Sequence, residues 1–381
     1  MRVVWCYPTL SRESIIVPSD SPGTVPETKL TLLSDNDLHV IKRLLVSAIT
    51  SDAGLRLLAP LRPRCANVLM LHRFAVPDLG IQGHDPVLLA RHLEYVRQRR
   101  YRVLSVMELL HQLDEGIPLA GNTLVFTVDD GYADFAEVAA PVFAAYDCPV
   151  TVFLVTDFVS GRLWNWFDRI QWAFVHSKRR EIAVEIFVEK VSLRWDSPAE
   201  STQKSDEIVE RLKRVPEAMK EELIDDISKA LEVEIPDAAP GKYRAMNWDQ
   251  VRACSRRGVT FGPHTVSHPI LSQVDGARAE REISESWRAV AAATDAAVPV
   301  FCYPNGTLAD FSTREKDMVS SSGMTAAFST IDGCLGWSRS GVASEDRLAL
   351  PRFGYSDDTS RFVQIASGLA AMRERLRTRS H

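Results

Sequence analysis

The sequence predicts an α/β chain with a parallel sheet, and an α/β barrel fits it better than an open doubly wound sheet. Three observations lead there. From Asn67 onward, short apolar runs rich in β-branched residues alternate with segments of helical periodicity. About seven strand-like runs are present, most of them separated by helices. Polar residues with chemical potential stand at the C-terminal ends of several different runs, the rim where α/β barrels gather their active groups.

The elements follow in order. The first 30 residues are loose polar sequence with no periodic pattern. Residues 36–58 put Leu38, Ile41, Leu44 and Leu45 on one helical face, a docking helix or a peripheral membrane-surface segment. After the breaker APLRPR, NVLML (67–71) reads as a strand ending at His72, and PVLLARHLEYVRQRR (86–100) as a helix with Leu89, His92, Leu93 and Val96 on one side. YRVLS is a short strand, VMELLHQL a short helix capped by Ser105, TLVFTV a strand, DFAEVAAPVFAAY a helix and PVTVFLV a strand. Between about 160 and 245 the rhythm breaks. An aromatic-rich helix carries Trp164, Trp166, Phe167, Ile170 and Trp172, and IAVEIFVEKV reads as one half-buried strand. Charged amphipathic helices near 205–215 and 217–231 follow, and PDAAPG closes the segment. Its aromatics suit a core of their own better than a sugar-stacking platform. Alternation resumes with the helix WDQVRACSRRG, the strand VTFG, a helix over 279–295 and strands PVFCYP, TAAFS and RLALPRF. The chain therefore divides into an N-terminal tail and docking helix (1–60), a first barrel part (61–160), an inserted, largely helical subdomain (161–245), a second barrel part (246–365) and a C-terminal tail (366–381).

Composition narrows the function. Apolar residues make up 45% and charged ones 25% of the 381, ordinary for a globular protein. The net charge of −5 argues against a general nucleic-acid binder. The six cysteines form no CxxC pair, so neither a zinc finger nor a disulfide framework is expected, and Cys148 and Cys302 read as small core residues. No apolar run is long enough to span a bilayer, and the N-terminus makes a poor signal peptide, so the expected location is cytoplasmic, or periplasmic or extracellular if the start site is misassigned.

The chemistry begins at TVDDGYAD. A buried strand ending in adjacent carboxylates, Asp129 and Asp130, places like charges side by side. A turn or helix cap is the plain reading; a bound cation is the sharper one. The stretch GPHTVSHP adds His264 and His268, four apart, which a single helical turn would bring to one face. Together these residues predict a metal site of two imidazoles and one carboxylate with positions left open.

TVDDGYAD with HTVSH resembles the first two motifs of the NodB-homology polysaccharide deacetylases, carbohydrate esterase family four. VLMLHRF resembles the opening strand of the branch with a first-strand histidine, and FCYPNG and LPRFGYSDD match later landmarks. The likeness covers about residues 65–160 and 245–360. It implies a deformed (β/α) barrel and metal-dependent removal of acetyl groups from N-acetylated, or O-acetylated, sugars of a polysaccharide or its lipid- or nucleotide-linked precursor. By the same resemblance Asp130, His264 and His268 hold a divalent metal, commonly Zn2+, Asp129 is the catalytic base, and Tyr303 lends a backbone N–H to the oxyanion.

Two departures from the family pattern stand out. The arginine usual before the proline of the third motif is absent from VPVFCYPNG, and no histidine lies between His268 and His381. The first-strand branch suggests His72 as general acid instead, against the plain reading of a hydrogen-bonded buried histidine. Arg352, on the corresponding late strand, either orients Asp129 or pairs with a structural carboxylate. The rival function is an amidohydrolase of the same fold acting on a small non-sugar amide or cyclic imide. A non-catalytic relative would be expected to lack one of these residues, and a 2-His-1-carboxylate iron oxygenase would not need a base beside its carboxylate.

Overall fold

The computed structural model describes residues 44–336 and 346–378. The chain divides at Leu58/Ala59 into two compact units. Of the first, residues 44–50 and Asp52–Leu57 are helical, with a break at Ser51, whose side chain caps the second stretch. Leu44, Leu45 and Leu57 are exposed there, while Leu38 and Ile41 of the expected apolar face lie outside the described residues.

The second unit is built on strands β1 (Cys65–Leu71), β2 (Arg102–Val103), β3 (Thr123–Val128), β4 (Val150–Leu154), β5 (Glu181–Ile186), β6 (Glu189–Arg194), β7 (Val259–Pro263), β8 (Val300–Cys302), β9 (Ala326–Phe328), β10 (Leu335–Gly336) and β11 (Phe353–Gly354). β11, β1, β3, β4 and β7 pair in that order, all parallel, with β2 also on β3 and β10 antiparallel on β1. β8 and β9 form a separate parallel pair. Single bridges carry the hydrogen bonding around the rest of the ring. The Val298 N–H donates to Phe261 at the β7 side, and Leu350 exchanges bonds with Ala327 and Ser329 on its way to β11. A barrel joined at these places by bridges rather than full ladders is the deformed barrel the resemblance implies. Pro351, which has no N–H to give, interrupts RLALPRF, so the strand expected there survives only as the Leu350 bridge and β11.

Local sequence explains most helix starts. Asp85 caps Pro86–Gln98, with proline at the first position and Leu89, His92, Leu93 and Val96 buried. Ser105 and Glu108 form a capping box at Val106–Asp114, and Asn247 and Gln250 another at Trp248–Ser255. The barrel interior is a cluster that includes Ala66, Val68, Val125, Phe153, Val300, Cys302, Phe328 and Leu350. At Gly262 a β-carbon would lie 2.6 Å from both the Phe153 ring and the Val300 carbonyl, so only glycine fits where β7 passes closest.

Between β4 and Trp248, the helices Trp166–His176, Pro198–Leu212 and Lys220–Ala230 and strands β5 and β6 surround a second cluster containing Trp166, Ile170, Phe174, Trp195, Ile208, Leu212 and Ile224. IAVEIFVEKV is a hairpin rather than one strand: β5 and β6 pair antiparallel across Phe187 and Val188. Apolar residues at the turn hid it, since Phe187 and Val188 are 52% and 82% exposed where polar residues are usual. The helix expected at 205–215 starts earlier, because Ser197 and Pro198 supply a cap and first turn. Among the described residues no helix is long and apolar enough to cross a membrane.

Candidate active site

Side chains two apart on a strand share a face, which sends Val125, Thr127 and Asp129 into the barrel from β3 and its end, and Val68 and His72 from β1. Asp129 is 2% exposed and receives a bidentate pair from Arg352, Nη1 to Oδ1 and Nη2 to Oδ2, both 2.8 Å. Arg352 is fully buried and has little freedom. Its Nε donates to the Ser329 carbonyl at 2.9 Å and its Nη1 also reaches the Thr127 hydroxyl at 3.1 Å. The carboxylate that Arg352 pairs with is that of Asp129. Burial alone would raise the pKa of Asp129, but the charge and hydrogen bonds of Arg352 outweigh it and hold the carboxyl well below its ordinary range.

Cys302, expected as core filler, sits among these groups. Its thiol lies 3.1 Å from Arg352 Nη2 and 3.5 Å from Asp129 Oδ2, and its carbonyl accepts from His264 Nδ1 at 2.7 Å. Burial pushes the thiol pKa well up, so it stays protonated and donates weakly to Asp129.

Asp130 adopts φ 74°, which turns it away from its neighbour. The next residue, Gly131 at φ 87°, lies in the left-handed region where a side chain is strained, and a β-carbon there would also press on the Leu154 side chain at 2.7 Å. Asp130 Oδ1 lies 3.6 Å from His264 Nε2 and 3.5 Å from His268 Nε2, all three residues buried. These separations are too long for hydrogen bonds. They match the spacing of two ligands on a tetrahedral ion, about 3.4 Å for bonds of about 2.1 Å. Because Nδ1 of His264 is bound to the Cys302 carbonyl as donor, its Nε2 keeps a lone pair toward Asp130. Burial lowers the pKa of both histidines and, with the charge of Asp129, raises that of Asp130 well above its usual value. Two neutral imidazoles and a carboxyl whose charge lacks compensation form a donor set suited to a divalent cation.

The two histidines do not sit on a helical turn. Residues 264–268 form a loop with Thr265 and His268 at φ 67° and 60°. Glu282, which sequence reasoning missed, clamps that loop. Its carboxylate accepts from the N–H groups of Val266 and Ser267 at 2.8 and 2.9 Å and from the Ser267 hydroxyl at 2.5 Å. The only sequence signal was a glutamate on the buried face of the following helix, Gly276–Ala293.

His72 stands 3.9 Å from Asp129 Oδ2 with its side chain 42% exposed. Desolvation lowers its pKa and Arg352 and His264 push the same way, while Asp129 pulls it up. Tyr303 does not fill its expected place. Its N–H is committed to the Phe328 carbonyl at 3.1 Å in the continuation of the β8–β9 ladder, so it has none to lend. The N–H of Asn305, at φ 56° on the turn that follows, has no acceptor among the described residues.

A family model described as polysaccharide deacetylase matches residues 117–327, more than half of the chain. That span holds Asp129, Asp130, His264, His268 and Tyr303 and leaves His72 and Arg352 outside. Among solved structures, a deacetylase of Streptococcus pyogenes, PplD, in complex with acetate is similar at TM-score 0.51 and 16% identity, over 81% of this chain and 99% of that one. IcaB from Ammonifex degensii follows at TM-score 0.49 and 14% identity, over 81% and 98%. A de-N-acetylase from Aggregatibacter actinomycetemcomitans gives 0.45 and 15%, over 77% and 96%. At such identities the likeness to PplD speaks for the fold. No curated protein matches the chain.

Proposed function

Because the chain belongs to the polysaccharide deacetylase family, we propose that it is a metal-dependent hydrolase removing acetyl groups from N-acetylated sugars. One observation carries this reading: Asp130, His264 and His268 converge within 4.8 Å of one another beside a carboxylate, Asp129, held ionised by Arg352. Asp130 and the Nε2 atoms of His264 and His268 would hold the cation, and the mixed N and O donor set suits zinc. When bound, a divalent cation supplies Lewis acidity, polarising the acetyl carbonyl and lowering the pKa of a water.

The chain's own residues do the rest. Asp129 takes the proton of the attacking water as its oxygen bonds to the acetyl carbon. Arg352 keeps both carboxylate oxygens in place for that transfer. The Asn305 N–H, two residues beyond Tyr303 and without an acceptor among the described residues, is the group available for an oxyanion contact. As the C–N bond breaks, the amine needs a proton, and His72 lies 3.9 Å from the carboxylate that has just gained one. A protonated His72 imidazole can pass that proton on to the leaving nitrogen. Products are acetate and the free amino sugar.

Acetate release from a panel of N- and O-acetylated sugars and oligosaccharides tests the reading, in metal-stripped protein, zinc-reloaded protein and Asp129→Asn. Release that needs zinc and disappears in the variant is expected. Zinc binding with turnover only of small amides or cyclic imides would move the function to the rival amidohydrolase. The same panel separates polymer from lipid- or nucleotide-linked precursor. For His72→Ala, turnover of an N-acetyl sugar falls by about 10²–10⁴ with zinc content unchanged, and hydrolysis of an aryl acetate, whose leaving group needs no proton, falls much less. Near-normal turnover of the sugar by that variant would remove His72 from the mechanism.

A further inference from the structure

The segment between β4 and Trp248 reaches the cation site. The ring of Phe167, at the start of the helix Trp166–His176, meets the ring of His268 edge to face, with centroids 5.6 Å apart and planes at 72°. The residues around Phe167 are fixed. Trp166 is covered by the Lys220 ammonium, 4.7 Å from its ring. Asp168 accepts from the Tyr132 hydroxyl at 2.6 Å, and the Asn165 amide donates to that same hydroxyl at 2.9 Å. Tyr132 is two residues beyond Asp130, so this first helical turn is tied to the strand end that carries the base and one metal-site carboxylate. Phe167 itself is half-buried, packed partly against each of the two hydrophobic clusters that meet here and edge to face with the Trp166 ring at 5.6 Å.

We infer that Phe167 is a specificity-determining residue, the wall on which the pyranose ring bearing the acetamide packs, so that this segment selects a sugar over a simple amide. The inference rests on the deacetylase reading. A pyranose presents a face of C–H groups, and a flat aromatic ring covers such a face with few rotors to immobilise. Because Phe167 is already held by its neighbours, little ordering remains to be done on binding. Its contact with His268 sets the stacked sugar beside the place where the acetyl group reacts.

The test compares zinc-loaded parent protein with Phe167→Ala and Phe167→Leu on an N-acetylglucosamine oligomer and on acetanilide, with zinc affinity and melting temperature measured alongside. In Phe167→Ala the KM for the oligomer rises about tenfold or more while kcat falls much less. The preference for oligomer over acetanilide drops by the same factor, and Phe167→Leu lies between. Should Phe167→Ala fail to fold, the leucine variant carries the comparison. Equal losses on both substrates, or a loss matched by weaker zinc binding, would overturn the inference by making Phe167 a prop for His268. An unchanged KM in a parent that cleaves the oligomer would sink the wall and leave the deacetylase reading standing. A parent that releases no acetate from the oligomer would sink that reading, and the wall with it.

Discussion

Asp129 and Asp130 are chain neighbours with opposite electrostatic fates. Arg352 holds the first ionised, while burial and the charge of the first push the second toward its neutral form. The positive φ of Asp130 separates them, so one carboxylate faces a guanidinium and the other faces two imidazoles. The pair was legible in the sequence because two acids ending a buried strand need an explanation. Arg352 was legible only as a polar residue on a late strand, since nothing in sequence spacing reports a partner 223 residues away. Cys302 was not legible, because a cysteine in an apolar run reads as filler whatever its thiol and carbonyl touch. Lysine at position 352 would keep the charge and lose the two-pronged grip. Arg352→Lys is therefore expected to lower kcat at least about tenfold while KM and zinc content change little, measured on protein whose melting temperature confirms folding. Wild-type kcat would mean the charge alone suffices.

The loop 264–268 shows what periodicity hides at the level of an element. Histidines four apart would share one face of a helical turn, which is what made their spacing suggestive. The structure reaches the same convergence by another route, with two left-handed residues and a buried carboxylate behind the loop. Spacing singled out the two histidines and missed the carboxylate that fixes their loop, because Glu282 acts from the next helix through backbone N–H groups. Glu282→Gln retains shape but replaces a carboxylate that accepts three hydrogen bonds with an amide that accepts on one side only. Zinc affinity, measured by chelator competition, is expected to fall about 10- to 100-fold, with turnover largely restored at saturating zinc. Unaltered affinity would show that the loop holds its shape without the clamp.

Across the whole molecule the alternation of strands and helices made the barrel readable, whereas its closure was not. β8 and β9 join the rest through single bridges, which leave no mark on apolar periodicity. Another long-range join lies between the helix Pro86–Gln98 and the late helix Thr359–Ala366. Buried His92 stacks on Phe362 at 4.1 Å, and its ring nitrogens meet the Tyr355 hydroxyl at 2.6 Å and the Thr359 hydroxyl at 3.1 Å. Burial lowers its pKa to about 4, against the pull of Asp357 and Asp358. An unfolded histidine takes up its proton near pH 6.5. The unfolded chain therefore binds more protons between about 4 and 6.5, and the stability present above that window is lost as the pH falls through it, by at most about 3 kcal/mol. Denaturant midpoints across that range should fall less steeply in His92→Phe than in the parent, and parallel slopes would show that His92 is not the group responsible. The strand order carries one further consequence. Asp130 precedes β4 and the two histidines follow β7, yet β4 and β7 are register-matched neighbours from Val150↔Val259 to Leu154↔Pro263. A ribosome delivers the helices and hairpin between them first, and these have a cluster of their own to collapse around. The proposed cation site can form only when β7 docks on a sheet that has waited for it, so in refolding with zinc present any capture of the ion should trail the burial of Trp166 and Trp195 and act as a clock for the last step of assembly.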